Sequence, residues 1–262
     1  MSVVKIVILN WNGAAHLRRF LPSVVRTAPP GVEIVVADNG STDGSAALVE
    51  REFPSVTLLR LPENYGFAGG YNRALERLEG DYWVLLNSDV EPAEGWLEPL
   101  IAELDAQPDV AVVGPKLLSC AERDRFEYAG AAGGFIDWFG FPFCRGRILR
   151  TLEKDRGQYD DTRDVFWVSG AAFCCRAEVF PKQGVAFGRR HVAEQFAAQT
   201  LPQLPQQPRD ALQVRVARAA CRGGCAAAPC GCRRSAGLSV ERTMRTGRCG
   251  RLRLPRFSGA AR

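Results

Sequence analysis

The chain has 262 residues, 46% apolar and 24% charged, the proportions of a globular protein with room for one large domain or two small ones. No run approaches the roughly 20 apolar residues of a membrane-spanning helix, and the N-terminus opens into a strand-like segment rather than a signal peptide, so a cytoplasmic location is expected. The net charge of +5 hides a division: residues 1–180 carry 18 Lys and Arg against 26 Asp and Glu, a net of −8, whereas residues 181–262 carry 16 against 3, a net of +13.

The first part alternates strand and helix signals, the pattern of a parallel sheet covered on both faces. Residues 3–9 read as a strand, 14–25 as its crossover helix, and 32–37 as a second strand ending in the polar tip Asp38-Asn39-Gly40-Ser41-Thr42-Asp43-Gly44. A helix over 45–52 leads to a third strand, 56–61. Residues 62–70 read as a loop, 71–78 as a helix and 82–86 as the fourth strand. That strand runs into Asn87-Ser88-Asp89, so an apolar strand delivers a carboxylate to the edge where open α/β sheets bind ligands. Turn chemistry also favours Asn, Ser and Asp there, but three strand ends with the same polar character point to a ligand crevice.

Residues 112–118 read as a further strand. The segment 135–143 is unusually aromatic and fits either a hairpin packing its rings into the core or an acceptor- or lipid-facing surface. Cys120, Cys144, Cys174 and Cys175 are scattered through the folded part, which suits reduced thiols rather than disulfides. Beyond Phe180 the sequence is rich in Arg, Ala, Gln, Pro and Gly and has no sustained periodicity. The domain boundary is therefore expected at Phe180/Pro181, with a largely disordered basic tail after it.

Four ordered motifs, Val-Ile-Leu-Asn-Trp-Asn-Gly (7–13), Ala-Asp-Asn-Gly-Ser-Thr-Asp-Gly-Ser (37–45), Asn-Tyr-Gly-Phe-Ala-Gly-Gly-Tyr-Asn (64–72) and Leu-Leu-Asn-Ser-Asp (85–89), together resemble the family 2 glycosyltransferases, in particular the rhamnosyltransferase-like enzymes of surface-polysaccharide synthesis. The resemblance covers residues 3–180. It implies a GT-A-type nucleotide-diphospho-sugar transferase fold, Rossmann-like and incomplete at the acceptor side, and an inverting, metal-assisted transfer of a sugar to a glycan or lipid-linked acceptor. On the matching positions it assigns Asn10 to the donor-nucleotide pocket and Asp38 to the nucleobase, whose imide N–H suits a carboxylate acceptor. It also assigns Asn64, Gly69 and Asn72 to the segment beside the donor. Asn87 stands at the first position of a DxD-like motif, leaving Asp89 as the ligand of a divalent cation, Mg²⁺ or Mn²⁺, that bridges the diphosphate. Phe166 to Phe173 match a strand entering the acceptor side, with Ser169 and Gly170 near the transferred sugar.

The motif expected next, a Gly-Gly-Phe-Asp turn followed by an acidic pair that supplies the general base for the acceptor hydroxyl, is missing. The acidic residues beyond Phe180 are Glu194, Asp210 and Glu241, all isolated. The catalytic residue is thus unassigned, and a donor-binding remnant without transfer activity is the alternative function. A deletion with a frame shift accounts for both the missing motif and the altered composition: codons allowed for residues 189–208, read one base later, can spell Gly-Gly-Thr-Leu-Pro and then Asn-Phe-Arg-Asn-Asn, as in this family. An arm binding an anionic membrane at the inner face of the plasma membrane is a weaker reading of the tail. Nucleic acid is not an expected partner, and Cys221, Cys225, Cys230 and Cys232 lack the paired spacing of a zinc site.

Overall fold

Seven apolar-rich residues in a row suit a strand buried on both sides, and β1 (Val4–Asn10) is such a strand. Ile6 and Ile8 face one way, against Leu17 and Leu21 of helix α1 (Ala14–Thr27), and Val7 faces the other, in the cluster that holds Tyr71 and Ala74. The computed structural model describes residues 2–180 and the backbone of residues 213–223. β2 (Glu33–Asn39), β3 (Thr57–Leu61) and β4 (Tyr82–Asn87) join β1 in parallel, with α2 (Ser45–Glu52) and α3 (Gly66–Leu75) as crossovers. Helices α1 and α2 pack into the first cluster and α3 into the second, so both faces are covered.

The strands lie in the order β3-β2-β1-β4. The chain winds outward from β1 to β3 and then returns to the other side of β1 to lay down β4. Winding reverses at β1, which opens a crevice at the C-terminal ends of β1 and its neighbours. After β5 (Val90–Pro92), α4 (Glu98–Ala106) and β6 (Val110–Ser119), a four-stranded antiparallel meander is built from β7 (Gly134–Ile136), β8 (Pro142–Cys144), β9 (Arg147–Ile148) and β10 (Thr151–Leu152). β11 (Arg163–Asp164) follows. β12 (Ala172–Arg176) then enters the main sheet antiparallel between β4 and β6.

Arg176 fixes that entry. Its guanidinium donates to the carbonyls of Leu104 and Gln107 at the end of α4, and its Nε donates to the carbonyl of Val110. A fixed cation there also complements the negative end of the helix. Cys174 and Cys175, beside it, are free and fully buried, and burial pushes the Cys174 thiol up to about 12 and raises that of Cys175 as well. Cys120 and Cys144 are also free, in keeping with reduced thiols.

Three local expectations change. Helix α3 starts at Gly66 rather than at residue 71, so the glycine-rich segment is the first turn of the helix. The strand expected over 166–173 starts at Ala172; residues 166–171 instead cross over β7, with Trp167 lying on Gly134. Of the two readings left open for the aromatic segment, the turn is exposed at Trp138, Phe139 and Phe141, while Phe135 at its base packs against the core. Beyond Phe180, β13 (Gln213–Gly223) runs parallel to β6 and antiparallel to β5 and β11, although only Val214-Arg215-Val216 hints at strand alternation. The chain divides into two compact units, 1–227 and 228–262, and all described residues belong to the first. The expectations for the rest of the tail, including the cysteine cluster and the frame shift, lie outside the described residues. Among the described residues no helix is long and apolar enough to cross a membrane.

Candidate active site

Parallel pairing sets Asn10 beside Asp38 and Leu9 beside Asn87, so the three polar strand ends form one edge. Asn10 and Asp38 are both buried, and the Asn10 amide donates to Asp38 Oδ1 (3.2 Å), Ser45 Oγ (2.9 Å) and Ser41 Oγ (3.2 Å). The Asn10 Oδ1 atom is buried with no hydrogen-bond donor among the described residues, an expensive state unless a bound group supplies one. The loops behind β1 and β2 are laced together above this pair. Ser41 Oγ accepts from the Asn12 backbone (2.9 Å), and Asn12 Oδ1 accepts from that of Thr42 (2.7 Å). Asp43 accepts from the backbone N–H groups of Ala14 and Ser45, at the starts of α1 and α2. Burial works against its charge, but the bonds from Ser45 and Ala14 outweigh it and hold the carboxyl below its usual range. This is a preorganised floor rather than a set of free turns.

Asn39, which the motif reading did not single out, holds the glycine-rich segment to that floor. It is buried; its amide donates to Asn64 Oδ1 (2.9 Å) and the Gly66 carbonyl (3.0 Å), and its Oδ1 accepts from the Tyr65 backbone (3.0 Å). Asn64 is therefore a loop-building residue, bonding also to the Gly66 N–H. Gly69 sits half-buried in α3, where a Cβ would come 3.1 Å from that of Tyr65, and Asn72 lies partly buried further along the helix. Within this segment the tightest approach belongs to Gly70, whose added Cβ would come 2.8 Å from Leu9 and 2.9 Å from the Asn39 amide. Gly70→Val should destabilise the fold by about 1–3 kcal/mol, read as a lower urea midpoint at unchanged slope; an unchanged midpoint would show that the helix moves away freely.

On the far side of β1, Asn87, Ser88 and Asp89 are half-buried at the end of β4. No described donor bonds to the Asp89 carboxylate. The Asn87 N–H donates to the carbonyl of Ala171 (2.9 Å), which brings Ser169 and Gly170 to the same edge. Ser169 packs on Gly130, where an added Cβ would lie 2.4 Å from its own, and its hydroxyl reaches the Ala129 carbonyl (3.5 Å). This contact introduces Glu127, a residue absent from every motif. Glu127 Oε2 accepts from the Ala129 N–H (2.6 Å). Burial raises its carboxyl above the usual range; the backbone N–H groups of Ala129 and Tyr128 and the Arg147 guanidinium oppose the rise, and the Asp89 charge adds to it. A cavity of about 780 Å³ lies at the opposite end of the strands, against Lys5, Trp83 and Phe180, on the side that open α/β sheets do not use for ligands.

Residues 5–177 match the model of glycosyl transferase family 2. The chain belongs to this family. Among curated relatives of this family 2 chain, an N-acetylglucosaminyl-diphospho-decaprenol L-rhamnosyltransferase of Mycobacterium tuberculosis is 27% identical over 201 residues, 70% of this chain and 64% of the relative. A pre-mycofactocin glycosyltransferase of the same organism is 34% identical over 126 residues, 46% of this chain and 25% of the relative. The chain thus spans less than two thirds of the curated relatives it matches. Among solved structures, GalNAc-T7 with UDP, GalNAc and Mn²⁺ superposes with a TM-score of 0.61 at 15% identity, covering 85% of this chain and 43% of the other. The fold is therefore the GT-A-type α/β fold, and the family is one of transferases.

The donor set at β4 suits a hard cation. Asp89 offers a carboxylate that no described donor occupies, in one sequence run with the side-chain oxygens of Asn87 and Ser88, and oxygen is the ligand Mg²⁺ and Mn²⁺ take. Among the described residues no cluster of three or more His, Cys, Asp or Glu could hold a metal ion. A cation here would need further oxygens from water or from the substrate.

Proposed function

We propose that this chain binds a nucleoside-diphosphate sugar across the ends of β2, β1 and β4 and passes the sugar, with inversion, to an acceptor entering over Ser169 and Gly170. The observation that carries the reading is the pairing of Asn10 with Asp38 on one side of the crevice and, on the other, an Asp89 to which no described donor bonds. The first pair suits a nucleobase, with Asp38 as acceptor for the imide N–H of uracil or thymine. Asn64, Gly69 and Asn72 flank the donor in this reading, on the segment that Asn39 anchors, and Asn87 supports the diphosphate end. Asp89 would hold Mg²⁺ or Mn²⁺, and a bound cation neutralises the charge that develops on the departing nucleoside diphosphate. The name of the rhamnosyltransferase relative supports rhamnose as the sugar and a polyprenyl-diphosphate-linked glycan as the acceptor.

On the acceptor side Glu127 is the carboxylate suited to take the proton of the attacking hydroxyl, because burial has raised its affinity for a proton and Ser169 adjoins it through Ala129. A second reading, donor binding without transfer, rests on the missing acidic motif beyond Phe180. It divides the chain at Phe180, with residues 181–262 read out of frame, which sequencing of the gene checks. Calorimetric titration with UDP- and dTDP-sugars, in Mn²⁺ and in EDTA, tests the donor site. Saturable, metal-dependent heat is the expected result, and no heat with any nucleotide sugar would end the reading. Radiolabel transfer to a polyprenyl-linked acceptor then separates the enzyme from the remnant.

A further inference from the structure

We infer that the tip of the β7–β10 meander is a membrane-docking element that seats the chain on an anionic lipid bilayer. The inference deepens the proposed acceptor class but rests on separate observations. Trp138 is 97% exposed, Phe139 83% and Phe141 69%, all in the β7–β8 turn, and Leu149, in the β9–β10 turn, is 87% exposed. The four strands pair antiparallel in the order β10-β9-β8-β7. Successive turns of a meander alternate between its two ends, so the first and third turns share one end. Trp138, Phe139, Phe141 and Leu149 therefore project together, with Ile148 and Arg150 beside them. An apolar group of this size in the open marks an interaction surface.

The tip is built to hold its aromatics outward. Asp137 Oδ1 accepts from the backbone N–H groups of Phe139 (2.9 Å) and Phe141 (2.8 Å), Asp137 N–H donates to the Phe141 carbonyl, and Gly140 takes the positive φ (+85°) that closes the turn. The polar groups of the turn are thus largely satisfied within it, a requirement for entering a region without water. At the root, Trp167 lies on Gly134 so closely that a Cβ there would be 1.9 Å from the ring, which fixes the hairpin to the body.

Charge selects the occupant. The body over residues 1–180 is acidic, yet the tip carries the exposed Arg150 beside Leu149, and its single acid, Asp137, is already engaged; Arg147 lies nearer the root, and Arg145 is buried against Asp161 (3.0 Å). Exposed aromatic side chains with a basic residue beside them are the composition of proteins that sit at the headgroup level of a membrane, where Trp is especially favoured and a nearby cation adds attraction to anionic lipid. The root of the same meander faces the candidate site, since Arg147 lies over the Tyr128 ring (4.3 Å) and acts on Glu127. Strands of three residues place tip and root about 10 Å apart. A lipid surface at the tip would hold a lipid-linked acceptor within reach of Glu127 and Ser169.

The test uses the full chain, without nucleotide, and vesicles of phosphatidylcholine with phosphatidylglycerol or of phosphatidylcholine alone. The wild type should float with the mixed vesicles, and the triple variant Trp138→Ser, Phe139→Ser, Phe141→Ser should bind them at least about tenfold more weakly at the same melting temperature. Its donor binding should be unchanged, which separates this inference from the proposed function. The tryptophan emission of the wild type should shift to the blue on vesicles, and that of Trp138→Phe should shift less. Equal flotation of wild type and triple variant would assign binding to the basic residues beyond Phe180 and overturn the inference. A change in oligomeric state in the triple variant, with no vesicle binding by the wild type, would overturn it too, in favour of a second copy of the chain as the occupant.

Discussion

Replacing Asp89 with alanine should abolish the metal dependence of nucleotide-sugar binding. In Mn²⁺ the affinity should fall about a hundredfold or more, and in EDTA it should match that of the wild type. The contrast follows from position. Asp89 stands beyond the last residue of β4, on the other side of β1 from Asp38 in β2, so on the proposed reading its loss would remove the cation's foothold and leave the nucleobase end intact. Asp89→Asn should resemble alanine more than wild type, because an amide oxygen is a neutral ligand. Wild type and variant binding equally in both buffers would remove Asp89 from the donor site.

Glu127→Gln should behave in the opposite manner, with donor affinity within about twofold of wild type and transfer at saturating donor lower by about a hundredfold, the range associated with loss of a general base. It also carries a stability signature. Burial raises the native carboxyl above its unfolded value, so between those two values the native state binds more protons than the unfolded state. Stability then falls as pH rises through that window. In metal-free neutral buffer Glu127→Gln should melt at a higher temperature than wild type, and the advantage should vanish once the pH drops below the ordinary glutamate range. A variant that loses stability at neutral pH while keeping full transfer would make Glu127 a structural residue.

The N-terminal half of this fold was largely legible because parallel strands buried on both sides are long apolar runs, and polar tips mark where they stop. The four parallel strands and α1 and α2 follow the pattern to within a few residues. Helix α3 did not, because glycines at 66, 69 and 70 read as a loop. In the fold the close packing of Gly70 on Leu9 outweighs their poor helix propensity. Asn39 was visible only as part of a polar tip, since its task depends on a loop that approaches from 25 residues away. Glu127 carries no local signal at all. It matters through what the return of β12 places near it, and such long-range placement leaves no mark on spacing. The direction in which the hairpin aromatics point was equally hidden, because composition alone fits both a packed and an exposed turn.

The excursion between β6 and β12 leaves β6 and returns to its immediate neighbour, touching the main sheet in between only through the two-residue β11 at its edge. Closing a longer loop between two fixed ends costs little, about 0.6 kcal/mol for each doubling of length. The meander, the Glu127 turn and the Ser169 crossing can therefore lengthen, shorten or be exchanged for another design while the registers that align Asn10, Asp38 and Asn87 stay as they are. Selection can reshape the excursion without disturbing the strand ends, so on the proposed reading choice of acceptor and choice of donor would be free to diverge at different rates among descendants of one fold.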